Sequence, residues 1–261
     1  MTQSVTKPTK PREQLLRRQI LSSGVAALVG SMLVGRANAG EAQPMPSPTK
    51  ESNGASATLL DQFAVSQVIA RERYARETQD YDMEAACFHP EAFVDVSWFS
   101  GTAAEFVETG RKAAARGRAA TSLVATYFDA LSPPVVWINK DRAIADGSCA
   151  VHAFSSIGGV EAHVTSYTRL LWRAQRLQGE WLIAGLRGIY IRDTIEAVDP
   201  GQTLVIDQAK LATFRPSYRY LSYLTVNGGG PIRNDRAGLD RPDLVTTLRT
   251  AERDWLNSGP Q

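Results

Sequence analysis

The chain has 261 residues, enough for one generous domain or two small ones. Hydrophobic residues make up 43% and charged residues 21%, both ordinary for a globular protein. The net charge of +2 is too small to favour nucleic-acid binding through bulk electrostatics. The cysteines, Cys87 and Cys149, lie far apart with no CxxC or Cys/His spacing, so no metal centre is expected from them. Two packed free thiols are the expectation.

Residues 1–39 have the order of a signal peptide. Lys7, Lys10 and Arg12 lead into Arg17-Arg18, followed by an apolar run from Gly24 to Val34 and the small-x-small site Ala37-Asn38-Ala39. Paired arginines before a mild apolar run resemble a twin-arginine export signal, with cleavage after Ala39 and a periplasmic or secreted product. The run is short for about 30 Å of hydrocarbon, and Arg36 closes it. No stable membrane anchor is expected. Residues 40–57, rich in Pro, Ser, Gly and charge, read as a flexible linker.

A helix is predicted over Asp61–Gln79, with Phe63, Val65, Val68, Ile69 and Tyr74 at mixed three- and four-residue spacing. A second short helix is expected over Tyr81–Phe88, stopped by His89-Pro90. Ala92–Phe99 alternates like a strand, and Ser100-Gly101 turns the chain. Thr102 opens a helix to about Ala115 with Glu105 at the capping-box position, and Gly117 is expected to stop it. From Thr121 the period changes. Strands are predicted over Val135–Ile138, Ala143–Phe154, Val160–Gln175 and Glu180–Arg192, with turns at Asn139-Lys140-Asp141, Gly158-Gly159 and Leu177-Gln178-Gly179.

Helices followed by an antiparallel meander indicate an α+β domain, residues 58–199, with a cone-shaped curved sheet wrapped around the N-terminal helices. Such a sheet leaves a pocket beneath it. Residues 200–261 hold too few apolar positions for their own core and are expected to pack on the domain. They offer a short helix within Thr203–Phe214, an aromatic stretch from Arg215 to Tyr220, a loop at Gly228-Gly229-Gly230-Pro231, and a final amphipathic helix from Arg241-Pro242 with Leu244, Leu248 and Trp255 as apolar positions.

The stretch Tyr81-Asp82-Met83-Glu84 through Phe88-His89-Pro90-Glu91-Ala92 resembles the first helices of the SnoaL-like branch of the nuclear transport factor 2 superfamily. Asp141-Arg142-Ala143 and Gly179-Glu180-Trp181-Leu182-Ile183 extend the likeness, which covers about Leu59 to Asp199. The layout is most similar to scytalone dehydratase and bacterial bile-acid dehydratases. The resemblance implies a cofactor-free lyase acting by acid–base catalysis on a hydrophobic aromatic or polycyclic molecule. The reaction would be dehydration, or elimination of another small group such as formaldehyde. A ring-substrate isomerase, or a non-catalytic binding or dimerisation module, is the alternative. A homodimer or higher homo-oligomer is also implied.

Carried over residue by residue, the acid three positions before Asp80-Tyr81-Asp82 is Glu77. Tyr74, one turn earlier, could donate to a substrate oxygen or be a core tyrosine. A histidine of the family pattern is replaced by Asp129, which either serves as the base or marks loss of the mechanism. His163 falls near the family's second histidine and shares a strand face with Glu161, Thr165, Tyr167 and Arg169. Catalytic candidates are therefore His163, Asp129, Glu77 and Tyr74. Arg187, Tyr190 and Trp98 are candidates for substrate contact, with Phe99 beside Trp98; plain core packing is the rival reading for the aromatics. His89 reads as a turn residue and His152 as a strand residue without an evident partner. No cofactor or metal site is expected. A Gly-x-Ser-x-Gly elbow and a phosphate-binding Gly-rich loop are both absent.

Overall fold

A computed structural model describes residues 55–119 and 127–258, all within a unit spanning Gln43–Gln261. The expected export signal, most of the expected linker and the unit Met1–Ala42 lie outside the described residues. Among the described residues, no helix is long and apolar enough to cross a membrane.

The first helix, α1, runs Ala55–Glu77 and so begins inside the expected linker. Val65, Val68, Ile69 and Ala75 are its buried apolar positions. The first three pack on a sheet whose inner face supplies Ala143, Ala145, Leu170, Trp172, Ile183 and Leu186. Asp80 caps the short α2 (Tyr81–Ala86) by accepting from Met83 N–H at 3.0 Å. Strand β1 (Phe88–Val96) follows at once, so His89-Pro90 starts a strand instead of ending a helix. Its register with the last strand breaks between Phe88 and Phe93, where Pro90 needs no ladder donor. Ser100-Gly101 is likewise not a turn but part of β2 (Phe99–Thr102).

Thr102 and Glu105 form the reciprocal capping box of α3 (Ala103–Ala119), with bonds of 2.9 and 3.2 Å. The helix passes through Gly117. Helical glycine costs only about 1 kcal/mol relative to alanine, and the flanking Ala and Arg are strong helix formers. Strand β3 (Tyr127–Leu131) was not anticipated. It and β4 (Val135–Asn139) pair end to end along the same edge of β5 (Arg142–Ile157). Pro133-Pro134 separates them. Gly147 passes that break closely; a Cβ there would meet Ser132 O at 3.3 Å. Strands β6 (Val160–Leu177) and β7 (Glu180–Ala197) complete a curved mixed sheet of order β2-β1-β7-β6-β5-β3. Positive φ at Gly158-Gly159 and at Gln178-Gly179 supplies the two tight hairpins.

The C-terminal segment covers both faces of this sheet. On the inner side, α4 (Gln208–Leu211) and α5 (Arg219–Asn227) bring Leu211 and Tyr223 onto Ile157 and Ala162. Helix α5 begins at the end of the aromatic stretch Arg215–Tyr220 and stops just before the Gly228 loop. Its first turn is held by Asp193 of β7, which accepts from Leu221 N–H at 2.8 Å. Burial raises Asp193 from the ordinary 3.8 to about 6, against the backbone donors that lower it. A carboxyl raised in the folded state loses stability as pH climbs between those two values. Asp193→Asn is therefore expected to stabilise the protein by about 1–3 kcal/mol above pH 7 and to change little below about pH 4. Thermal melts across that range check it, and a pH-independent effect would refute the assignment.

On the outer side, α6 (Pro242–Asn257) packs Leu244, Val245 and Leu248 on Leu171, Ile189 and Ala237. Trp255 does not join that apolar patch. It lies between the Arg142 and Arg173 guanidiniums, 4.8 and 4.9 Å from its ring. Glu252 is buried against Arg173 at 2.6 Å and Arg187 at 3.5 Å. Glu252→Ala should strand those cations and cost about 2–4 kcal/mol, read as a lower urea midpoint; an unchanged midpoint would show that α6 is held by its apolar contacts alone.

Candidate functional site

The face of α1 that turns toward the sheet changes character along its length. Its first half presents Val65, Val68 and Ile69; its last turns present Glu72, Arg73 and Arg76. Arg73 is fully committed. It pairs with Glu72 beside it, donates to Asp129 Oδ2 at 2.9 Å, and reaches Tyr127 Oη at 3.2 Å. Burial alone would depress the guanidinium. The neighbouring Glu72, Tyr127 and Asp129 more than offset that and hold it well above its usual value.

Asp129 stands on β3 with its side chain wholly buried. Oδ2 accepts from Tyr127 O–H at 2.6 Å as well as from Arg73, while Oδ1 forms no well-aligned hydrogen bond. Burial, then the Asp129 charge, pushes the Tyr127 phenol well up, so it is a donor. The thiol of Cys149, on β5, lies against the Asp129 carboxylate; burial, then Asp129, raises it and keeps it neutral. Glu77, at the end of α1, accepts from Asp129 N–H at 2.7 Å and so fixes the free edge of β3. It has no cationic partner among the described residues.

Arg76 forms the second arm. It pairs with Glu84 of α2 at 2.9 Å, and its guanidinium lies 4.0 Å over the Phe106 ring. Trp98 and Tyr127 complete the surround at 5.5 and 5.6 Å. Burial raises the Glu84 carboxyl despite that cation, and its Oε2 is unpartnered. The arrangement offers a buried carboxylate oxygen, a phenolic donor and a guanidinium clasped by aromatic rings. Such groups can move a proton and stabilise an oxyanion.

The structure thus brings Asp129 and Glu77 together and sets Trp98 nearby. It does not bring the other candidates to them. Tyr74 is 59% exposed. At 100° per residue it points about 140° away from Ile69, which faces the core. His163 lies on the opposite face of the sheet. Tyr127 and Asp129 face α1, so Phe128 faces outward, and its ring stacks at 4.2 Å on His152. His152 Nδ1 and His163 Nε2 share a hydrogen bond of 2.9 Å, and Phe154 stacks on His163 at 4.5 Å. Glu196 lies 3.1 Å from His163 Nδ1. Burial, then His163, lowers His152. The polar face of β6 is therefore the outer face.

Arg187 is on that outer face too, beneath α6, and burial lowers it. Tyr190 is buried inside, but its hydroxyl accepts from Ser97 N–H at 2.8 Å and its ring meets Tyr218 of the C-terminal segment at 4.6 Å. Burial pushes it to about 12. His89 Nδ1 accepts from Glu91 N–H, a local role. Sequence reasoning missed Arg73, Arg76, Glu84 and Tyr127. Extending the Val65–Val68–Ile69 period by one turn would have found the arginines. Among the described residues, no three metal-ligating side chains converge.

Helices roofing a curved sheet, with ionisable groups buried on the inner face, define an α+β domain of the cone-shaped class. The SnoaL-like domain profile matches residues 57–187, and the chain belongs to that family. It is similar to the pea pathogenicity protein 2 of Fusarium vanettenii, 22% identical over 182 residues that cover 68% of this chain and 75% of that protein. Solved structures of similar fold include a candidate scytalone dehydratase from Novosphingobium aromaticivorans (13% identity, TM-score 0.44, covering 57% of this chain and 99% of that one). A hexachlorocyclohexane dehydrochlorinase from Novosphingobium barchaimii is also similar (11% identity, TM-score 0.44, covering 59% and 99%).

Proposed function

We propose that the protein is a cofactor-independent lyase that eliminates water, or another small group, from a hydrophobic ring-bearing molecule. The observation that carries this reading is Oδ1 of Asp129, buried without a well-aligned hydrogen bond. Tyr127 and Arg73 grip the other oxygen, which aims the carboxylate, and the remaining donor against it is the weak Cys149 thiol. Asp129 takes a proton from the carbon beside a carbonyl. The electron pair moves onto that carbonyl, and a guanidinium such as Arg76 can hold the resulting oxyanion. Collapse expels the hydroxyl on the next carbon, which leaves as water with the proton that Asp129 took. Glu77 is a positioning residue, since it holds the backbone of Asp129.

The test is a mass-spectrometric screen of purified protein with cyclic β-hydroxy ketones, scoring loss of one water. Turnover that depends on Asp129 supports the proposal. Ligands retained unchanged by both the wild type and Asp129→Asn would replace it with a binding role.

We also propose that the protein acts after export. The order of residues 1–39 supports this: paired arginines, an apolar run and a small-residue site. Intact mass of the exported product should begin at Gly40. A product retaining Met1 would refute it.

A further inference from the structure

Strand β7 outruns its neighbour. Its pairing with β1 reaches Arg187, and beyond that only Gly238 bridges its edge, at Tyr190. Past the bridge, Ile191, Arg192 and Asp193 form one wall of a cleft of about 370 Å³, and Pro216, Arg219 and Tyr220 form the other. None of these belongs to the Asp129 site.

Two observations mark the cleft as more than a surface irregularity. Asp193 lines the cleft and is 95% buried; the Leu221 and Tyr220 backbone N–H groups face its carboxylate, yet Oδ1 forms no well-aligned hydrogen bond. Buried polar groups are nearly always hydrogen-bonded, so that oxygen calls for a donor. At the rim, Arg192 and Arg219 are exposed and make no close ion pair among the described residues, although Asp193 feels the Arg219 charge. The other acid lining the cleft, Asp240, is already spent on Arg215 and Ser217.

We infer that the cleft is a second small-molecule site, for a hydroxylated organic carboxylate. The guanidiniums at the rim take the carboxylate. The apolar body rests on Ile191, Pro216 and Tyr220. The hydroxyl, the one ligand group that can donate, satisfies Asp193 in the wall of the cleft. The donor at one end and the charge at the other distinguish this ligand from a fully deprotonated inorganic anion such as sulfate, which offers Asp193 only repulsion.

The probe is 4-hydroxybenzoate, titrated by calorimetry into the full-length protein. Saturable binding is expected, weakened roughly tenfold by Arg219→Ala and again when benzoate, lacking the donor, replaces the probe. Arg219 is on the surface, so its loss leaves the fold intact. Asp129→Asn should leave the affinity unchanged. The inference is overturned if no binding is seen to about 10 mM, or if Arg219→Ala and Arg192→Ala bind as the wild type does. It is equally overturned if Asp129→Asn abolishes binding while the arginine variants retain it. That last pattern would place the acid at the Asp129 site and leave the lyase proposal standing.

Discussion

Asp129→Asn should lower turnover by about two to four orders of magnitude while leaving the protein folded. The substitution is unusually selective here. An amide can keep its carbonyl oxygen toward Tyr127 O–H and the Arg73 guanidinium, which hold Oδ2 at 2.6 and 2.9 Å in the native site. The NH₂ group then takes the place of Oδ1, the oxygen that bonds neither Tyr127 nor Arg73. The bonds that order β3 survive, and the lone pair that would accept a proton is gone. The expected signature is a collapse in kcat with KM changed only a few-fold, because ground-state contacts are preserved. Thermal midpoints of the two proteins should agree within a few degrees. Asp129→Ala, by contrast, should lose activity and stability together, since it also abandons Tyr127 and Arg73. Retention of more than about a third of wild-type turnover in Asp129→Asn would remove Asp129 from the chemistry.

Much of the fold was legible because its signals are local. The Thr102–Glu105 box, the paired positive-φ residues at Gly158-Gly159 and Gln178-Gly179, and the apolar stripe of α6 each depend on a few neighbouring residues. What the sequence hid is non-local. A two-residue period groups His163 with Thr165 and Tyr167, but it does not say whether that face turns toward α1 or away. The choice is made by the register that sets Phe128 against His152. Strand β3 was obscured because its five residues alternate weakly and it is sustained by pairing with β5, from Leu131 against Cys149 to Tyr127 against Ala153. The Asp129 position was found through family resemblance. Its partners were missed because Glu72, Arg73 and Arg76 look like a solvated charge run until the helix is rotated to bury Ile69. Burying charge on an inner helix face is a violation of ordinary patterning, and such violations concentrate where a protein acts on something.

That violation makes Arg73 the other residue whose loss should be severe. Glu72 and Asp129 both have side chains with no exposure, and Arg73 is the cation that touches both. Arg73→Met keeps the length and apolar body of the side chain but leaves two buried carboxylates without it. Breaking a buried ion pair from one side typically costs about 3–5 kcal/mol, more than the intact pair contributes relative to a hydrophobic substitute. A fall of that size in the free energy of urea unfolding is the expected result. The decisive comparison is the double variant Arg73→Met, Glu72→Leu. Removing the stranded Glu72 charge should recover part of the loss, so the double variant should be more stable than Arg73→Met alone. If instead the two losses simply add, the cost belongs to packing around α1 and not to uncompensated charge. The same experiment separates structure from chemistry. Asp129 would keep Tyr127 in the double variant but lose the guanidinium, so recovered stability without recovered turnover would show that Arg73 orients the Asp129 carboxylate.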